Sequence, residues 1–125
     1  MKVFIVEDSP AILERLADMV REIDGVELVG DAANYRSAVS GIMAARPDVA
    51  ILDIKLADDT GSGIDVLAGV KPQLPDLKTI VLSNYATPQH IKASADAGAD
   101  FFLDKSVDFE RIVEILEQLQ DESGR

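Results

Sequence analysis

"VFIVEDSP", residues 3–10, decides the fold. Val3, Phe4, Ile5 and Val6 make an unbroken apolar run, the pattern of a strand buried on both faces in a parallel sheet. Glu7 and Asp8 end the run with adjacent carboxylates. Ser9 then reads as an N-cap and Pro10 as the first residue of a helix, because Ser accepts an orphan backbone N–H and Pro needs none. A strand, an acidic turn and a helix start follow one another directly.

The same sentence repeats along the chain. Short apolar runs recur at 26–29, 49–52, 79–82 and 101–103, and the segments between them have helical spacing. Ile12, Leu13, Leu16, Val20 and Ile23 fall on one helix face, which Gly25 ends. Further helices are predicted over about 34–46 (Val39, Ile42 and Met43 inward), 63–70 (Ile64 and Leu67), from Thr87-Pro88 to Gly98, and 107–119. The last carries Phe109, Ile112, Val113, Leu116 and Leu119 along one side. Five strand-then-helix units predict a doubly wound α/β domain, since right-handed crossovers lay helices on both faces of a parallel sheet. The fourth helix is the weak member: "PQHIKASADAG" offers one large apolar residue, Ile91, so it should hold on loosely and move easily.

With 125 residues the chain is expected to be one domain over 1–125, with no output domain attached. Twelve basic residues stand against 23 acidic ones, a formal charge of -11, which repels nucleic acid and anionic membranes. The absence of cysteine excludes a disulfide framework, a thiolate metal site and a cysteine nucleophile. The apolar opening is too short for a secretory signal or a membrane span. A cytoplasmic protein with no direct nucleic-acid or membrane partner is the expectation.

In open α/β sheets the ligand site lies beyond the carboxyl ends of the strands. The residues there are Glu7 and Asp8, then Asp53 at the end of "VAILD", Ser83 after "TIVL" and Lys105 after "FFLD". Crowded carboxylates raise one another's pKa unless a cation neutralises them, and Mg²⁺, hard and oxygen-loving, suits them best. Neither His nor Cys is expected at the rim to favour zinc; His90, the one histidine, is read as a surface residue of the fourth helix. Beside a metal, the Asp53 carboxylate can serve as a nucleophile toward phosphorus, with Lys105 and Ser83 sharing the charge on the phosphoryl oxygens. Singly, each of these residues is ordinary in a solvated turn; jointly, at the ends of successive strands, they describe a phosphoryl site.

"VEDSP", "ILDIKL", "VLSNYA" and "FFLDKS", in that order and spacing, resemble the receiver domain of two-component response regulators over essentially the whole chain. The resemblance implies a flavodoxin-like (βα)5 fold with strand order 2-1-3-4-5. It implies that Asp53 is the phosphoacceptor, and that Glu7, Asp8, Asp53 and the backbone carbonyl of Lys55 hold Mg²⁺. Ser83 matches the switch hydroxyl, Lys105 the lysine that pairs with the phosphoryl group, and Phe102 the aromatic switch. It further implies a phosphoacceptor that assists its own phosphorylation and dephosphorylation rather than an enzyme in the usual sense. The phosphoryl group would come from a sensor histidine kinase or a histidine phosphotransfer protein. The face formed by the fourth helix, fifth strand and fifth helix would present the result to a downstream protein that the sequence does not name.

The sequence departs from the family pattern in places. Ser106 stands where a cis proline usually follows the lysine, Ala57 where a proline usually follows the phosphoacceptor, and Asn84 where a small residue usually follows the switch hydroxyl. "ADDTGSG" is two residues longer than the usual loop. Lys55, Asn84 and Tyr85 border the path of attacking water, so an altered autodephosphorylation rate is expected. Three other classes compete. A phosphohydrolase of the haloacid dehalogenase type needs an aspartate where Lys55 stands, and an FMN carrier needs a phosphate loop that "EDSPAI" lacks. A phosphorylation-independent interaction module would have no use for the complete set of site residues, whereas a phosphorelay intermediate would use all of it.

Overall fold

The structure is a computed structural model that describes residues 1–56 and 61–123. Ten elements alternate: β1 (Lys2–Val6), α1 (Pro10–Arg21), β2 (Glu27–Ala32), α2 (Tyr35–Ala45), β3 (Val49–Asp53), α3 (Gly63–Val70), β4 (Lys78–Ser83), α4 (Pro88–Asp96), β5 (Phe101–Asp104) and α5 (Arg111–Ser123). All strand pairings are parallel, in the order β2-β1-β3-β4-β5. This is the flavodoxin-like arrangement expected from the sequence.

Period-2 alternation divides the strand residues between two cores. Val3, Ile5, Val49, Ile51, Ile80, Leu82 and Leu103 pack with Leu16 and Val20 of α1 and with Ile112, Ile115 and Leu116 of α5. Phe4, Val6, Ala50, Leu52 and Val81 pack on the other face with Ala38 and Ile42 of α2 and Val66, Leu67 and Val70 of α3. Small residues make room where the rings are large. A Cβ on Gly30 would come within 2.8 Å of the Phe4 ring and one on Gly41 within 2.6 Å, so Phe4 is wedged between β2 and α2.

The helix starts follow the capping chemistry. Ser9 caps α1, Asn34 caps α2 and Thr87 caps α4, while Ser62 and Asp65 form a reciprocal capping box on α3. α5 departs from expectation: it begins at Arg111, several residues after the predicted 107. Residues 105–110 are instead taken up by turns. Ser106 donates both its N–H and its hydroxyl to Asp104 Oδ1, at 2.9 and 2.6 Å, and Asp108 N–H bonds to the Asp104 carbonyl at 2.7 Å. These local bonds compete with helix formation. Phe109 still reaches the core, with the Arg15 guanidinium 4.2 Å above its ring.

α4 is the poorly anchored helix foreseen. Ser94 is its one buried residue, and Ile91 is 44% exposed, so the apolar anchor expected from the sequence faces solvent instead. Ala57 lies outside the described residues, as does most of the lengthened loop.

Candidate functional site

Four of the parallel strands carry a residue at or just past their carboxyl ends to the same rim. Glu7 follows β1, and its N–H bonds to the Ala32 carbonyl at 2.9 Å, which fixes the acidic turn against β2. Asp53 ends β3 and Ser83 ends β4. Lys105 follows β5, its N–H tied to the Ser83 carbonyl at 2.9 Å. Glu7, Asp8, Ser9, Asp53, Lys55, Ser83 and Lys105 all line one cavity of about 410 Å³. The sequence reading thus brings together every site residue it named except Phe102. Phe102 lies inside β5, opposite Val81, and packs partly buried against the α2/α3 core.

The electrostatics are those of a cation site. Oxygens of Glu7, Asp8 and Asp53 lie within 4.8 Å of one another. Lys105 Nζ sits between two of these acids, 2.6 Å from Glu7 Oε1 and 3.0 Å from Asp53 Oδ2. All three side chains are buried, yet Glu7 Oε1 accepts no well-aligned hydrogen bond and faces the ammonium through the ion pair alone. Burial pushes Glu7 above its ordinary 4.5; the Lys105 ammonium opposes this and the Asp53 carboxylate reinforces it. Asp8 is raised above 3.8, again first by burial and then by Glu7. Burial disfavours the charge on Lys105, but its bonds to Glu7 and Asp53 prevail and raise it above 10.5.

These acids fit a hard divalent ion. They supply oxygen donors alone, converge on one point and include a buried oxygen without an aligned donor.

The family model described as "Response regulator receiver domain" matches residues 3–117. The chain belongs to the response regulator receiver domain family. It is 32% identical over 107 residues to the DNA-binding transcriptional activator DevR/DosR of Mycobacterium tuberculosis, covering 86% of this chain and 48% of that protein. It is 27% identical over 119 residues to a nitrate/nitrite response regulator protein homolog of Haemophilus influenzae, covering 95% of this chain and 56% of that one. The receiver domain described here therefore spans about half the length of these curated relatives. Among solved structures, the signal receiver domain of NarL from Mycobacterium tuberculosis superposes with a TM-score of 0.85 at 27% identity, covering 99% of this chain and 97% of that one. Receiver domains of this family are regulatory, receive phosphoryl groups from sensor kinases and generally bind Mg²⁺ in an acidic pocket.

The sequence reading gave no role at the site to two residues, Gly63, which it placed at the start of the third helix, and His90, which it placed on the surface of the fourth. A Cβ on Gly63, the first residue of α3, would overlap the backbone carbonyl oxygen of Asp53. Only glycine allows α3 to start so close to the end of β3, and its N–H closes the turn on the Ile54 carbonyl at 2.8 Å. The "GSG" at 61–63 was the available signal. The second is His90, half-buried at the cavity wall rather than on the open surface, with Nδ1 2.9 Å from the Tyr85 carbonyl. Its placement depends on the 84–87 turn, which residue type alone does not reveal.

Where the family pattern has a proline after the lysine, Ser106 closes the turn through its two bonds to Asp104. These bonds also lower the pKa of Asp104. Among the described residues no peptide bond is cis.

Proposed function

We propose that this domain is the phosphoacceptor of a two-component system, with Asp53 as the residue modified. The observation that carries the proposal is Lys105, buried and paired at once with Glu7 and Asp53 in the cavity that Ser83 also lines. A histidine-phosphorylated kinase or phosphotransfer protein is the donor. The Asp53 carboxylate supplies the electron pair for a new O–P bond as the donor's P–N bond breaks and its electrons return to the imidazole nitrogen. Lys105 then offers its ammonium to the phosphoryl oxygens, and the Ser83 hydroxyl turns toward them. Glu7, Asp8, Asp53 and the Lys55 carbonyl are the residues that would hold Mg²⁺. When bound, the ion neutralises phosphoryl charge and keeps coordination positions open for water and a phosphate oxygen.

The added charge biases an equilibrium between two arrangements of the 83–87 loop, α4 and Phe102. The α4, β5 and α5 face carries the result to a protein target. The charge of -11 sets these residues against direct contact with nucleic acid, and no described helix is long and apolar enough to cross a membrane. The cytoplasm, where such kinases present their phosphohistidines, is the proposed location.

Incubation with acetyl phosphate and Mg²⁺ tests the proposal by intact mass. Wild type gains one phosphoryl group and Asp53→Asn gains none. No gain in the wild type from acetyl phosphate or phosphoramidate would favour an interaction module that works without phosphorylation.

A further inference from the structure

The backbone carbonyl of Tyr85 holds two donors at once, Ser83 Oγ at 3.1 Å and His90 Nδ1 at 2.9 Å. A carbonyl only accepts, so Nδ1 carries the proton. Ser83 Oγ also accepts from Tyr85 N–H at 2.9 Å, which folds the hydroxyl back onto its own turn. His90 belongs to the first turn of α4, where its N–H is bonded to the Thr87 cap at 3.2 Å. One carbonyl therefore joins the switch hydroxyl to the helix.

Little else ties the front of α4 down. Ile91, the large apolar residue near that end, is 44% exposed. The far end is held firmly. Ala99 N–H bonds to the Ser94 carbonyl at 2.9 Å, Asp100 accepts from Thr79 N–H at 2.9 Å and Lys71 lies 3.6 Å from Asp100. A helix pinned behind and lightly held in front pivots about its C-terminal end when its first turn is pulled.

We propose that His90 is a positioning residue that couples the Ser83 switch to α4. The inference rests on the reading of Ser83 as the hydroxyl that turns toward a phosphoryl group on Asp53. When that hydroxyl leaves the Tyr85 carbonyl, the imidazole is the donor that stays. It keeps the carbonyl satisfied, which lowers the cost of releasing Ser83, and it makes the first turn of α4 follow the loop. A purely steric contact would do neither, since it supplies no proton to the carbonyl.

Three variants separate donor from bulk: His90→Ala removes both, His90→Phe keeps a ring without a donor, and His90→Asn restores a side-chain N–H close to the Nδ1 position. Each full chain is treated with acetyl phosphate and Mg²⁺, and the phosphorylated fraction is read by intact mass. Amide hydrogen exchange of α4 is measured with and without the donor and divided by that fraction. The phosphorylation-dependent change at α4 is expected to fall about threefold or more in the Ala and Phe variants and to return in Asn. An undiminished change in the Phe variant, no rescue by Asn, or a phosphorylated wild type with unaltered α4 exchange would overturn the coupling while leaving Asp53 as phosphoacceptor. A wild type that gains no mass would overturn both.

Discussion

Glu7, Asp8 and Asp53 crowd negative charge into a wall of the protein where burial already penalises it, and Lys105 is the internal cation that relieves two of them. Such a site trades stability for function. Asp8→Asn is therefore expected to stabilise the metal-free protein by about 0.5–1 kcal/mol and to lack the rise in melting temperature expected of the wild type on adding Mg²⁺, both read by thermal unfolding with and without the ion. The pH dependence follows from the raised values of Glu7 and Asp8. A carboxyl raised in the folded state binds its proton more tightly there than in the unfolded chain. Its contribution to stability is present at acid pH and lost as pH rises through the ordinary 3.8 and 4.5 and on through the raised values. Lys105 acts at the other end: raised above 10.5, it contributes stability below that value and loses it as pH climbs through the raised one. Mg²⁺ should thus stabilise most near neutral pH. Its apparent affinity, measured by calorimetry, should begin to weaken on acidification at a higher pH than an ordinary Asp–Glu pair would give.

Among the elements, α3 and α4 are built for opposite purposes. α3 is fixed: Gly63 lets its first turn press on the Asp53 carbonyl, Ser62 and Asp65 cap each other, and Val66, Leu67 and Val70 are fully buried. Gly63→Ala should cost about 1–3 kcal/mol in denaturant unfolding and slow phosphorylation by acetyl phosphate, because the clash is with the backbone of Asp53, the proposed phosphoacceptor. α4 is loose. Ile91→Ala should change global stability by less than about 0.5 kcal/mol, whereas Leu67→Ala in α3 should cost about 2–5 kcal/mol in the same measurement. The weakness of α4 was legible because its sequence lacks apolar residues at helical spacing, but the outward aim of Ile91 was not, since periodicity cannot orient a helix with a single large apolar side chain. α5 shows a second limit. Val107, expected to open that helix, is 78% exposed in a turn held by Asp104 and Ser106, and side-chain bonds to nearby backbone override helical spacing when the spacing is the only signal.

At the scale of the molecule, the nearly unbroken apolar runs at 3–6, 49–52 and 79–82 identify the three central strands, and parallel pairing then carries Glu7, Asp53, Ser83 and Lys105 to one rim. That much was legible because it depends on topology, which repeats of strand and helix determine. Gly63 and His90 were not, because their importance lies in a close approach and in a turn's carbonyl, features of geometry that residue type does not encode. The same topology places a carboxylate, a cation and a hydroxyl from three strands around one cavity, and the central claim is that the phosphoryl group arrives at Asp53 there. Borohydride reduction of the acetyl-phosphate-treated protein, followed by peptide mass spectrometry, tests this most directly, since an acyl phosphate is reduced to an alcohol while free carboxylates are untouched. The account predicts homoserine at position 53 and at no other aspartate; an unreduced Asp53, or homoserine at Asp8 or elsewhere, would contradict it.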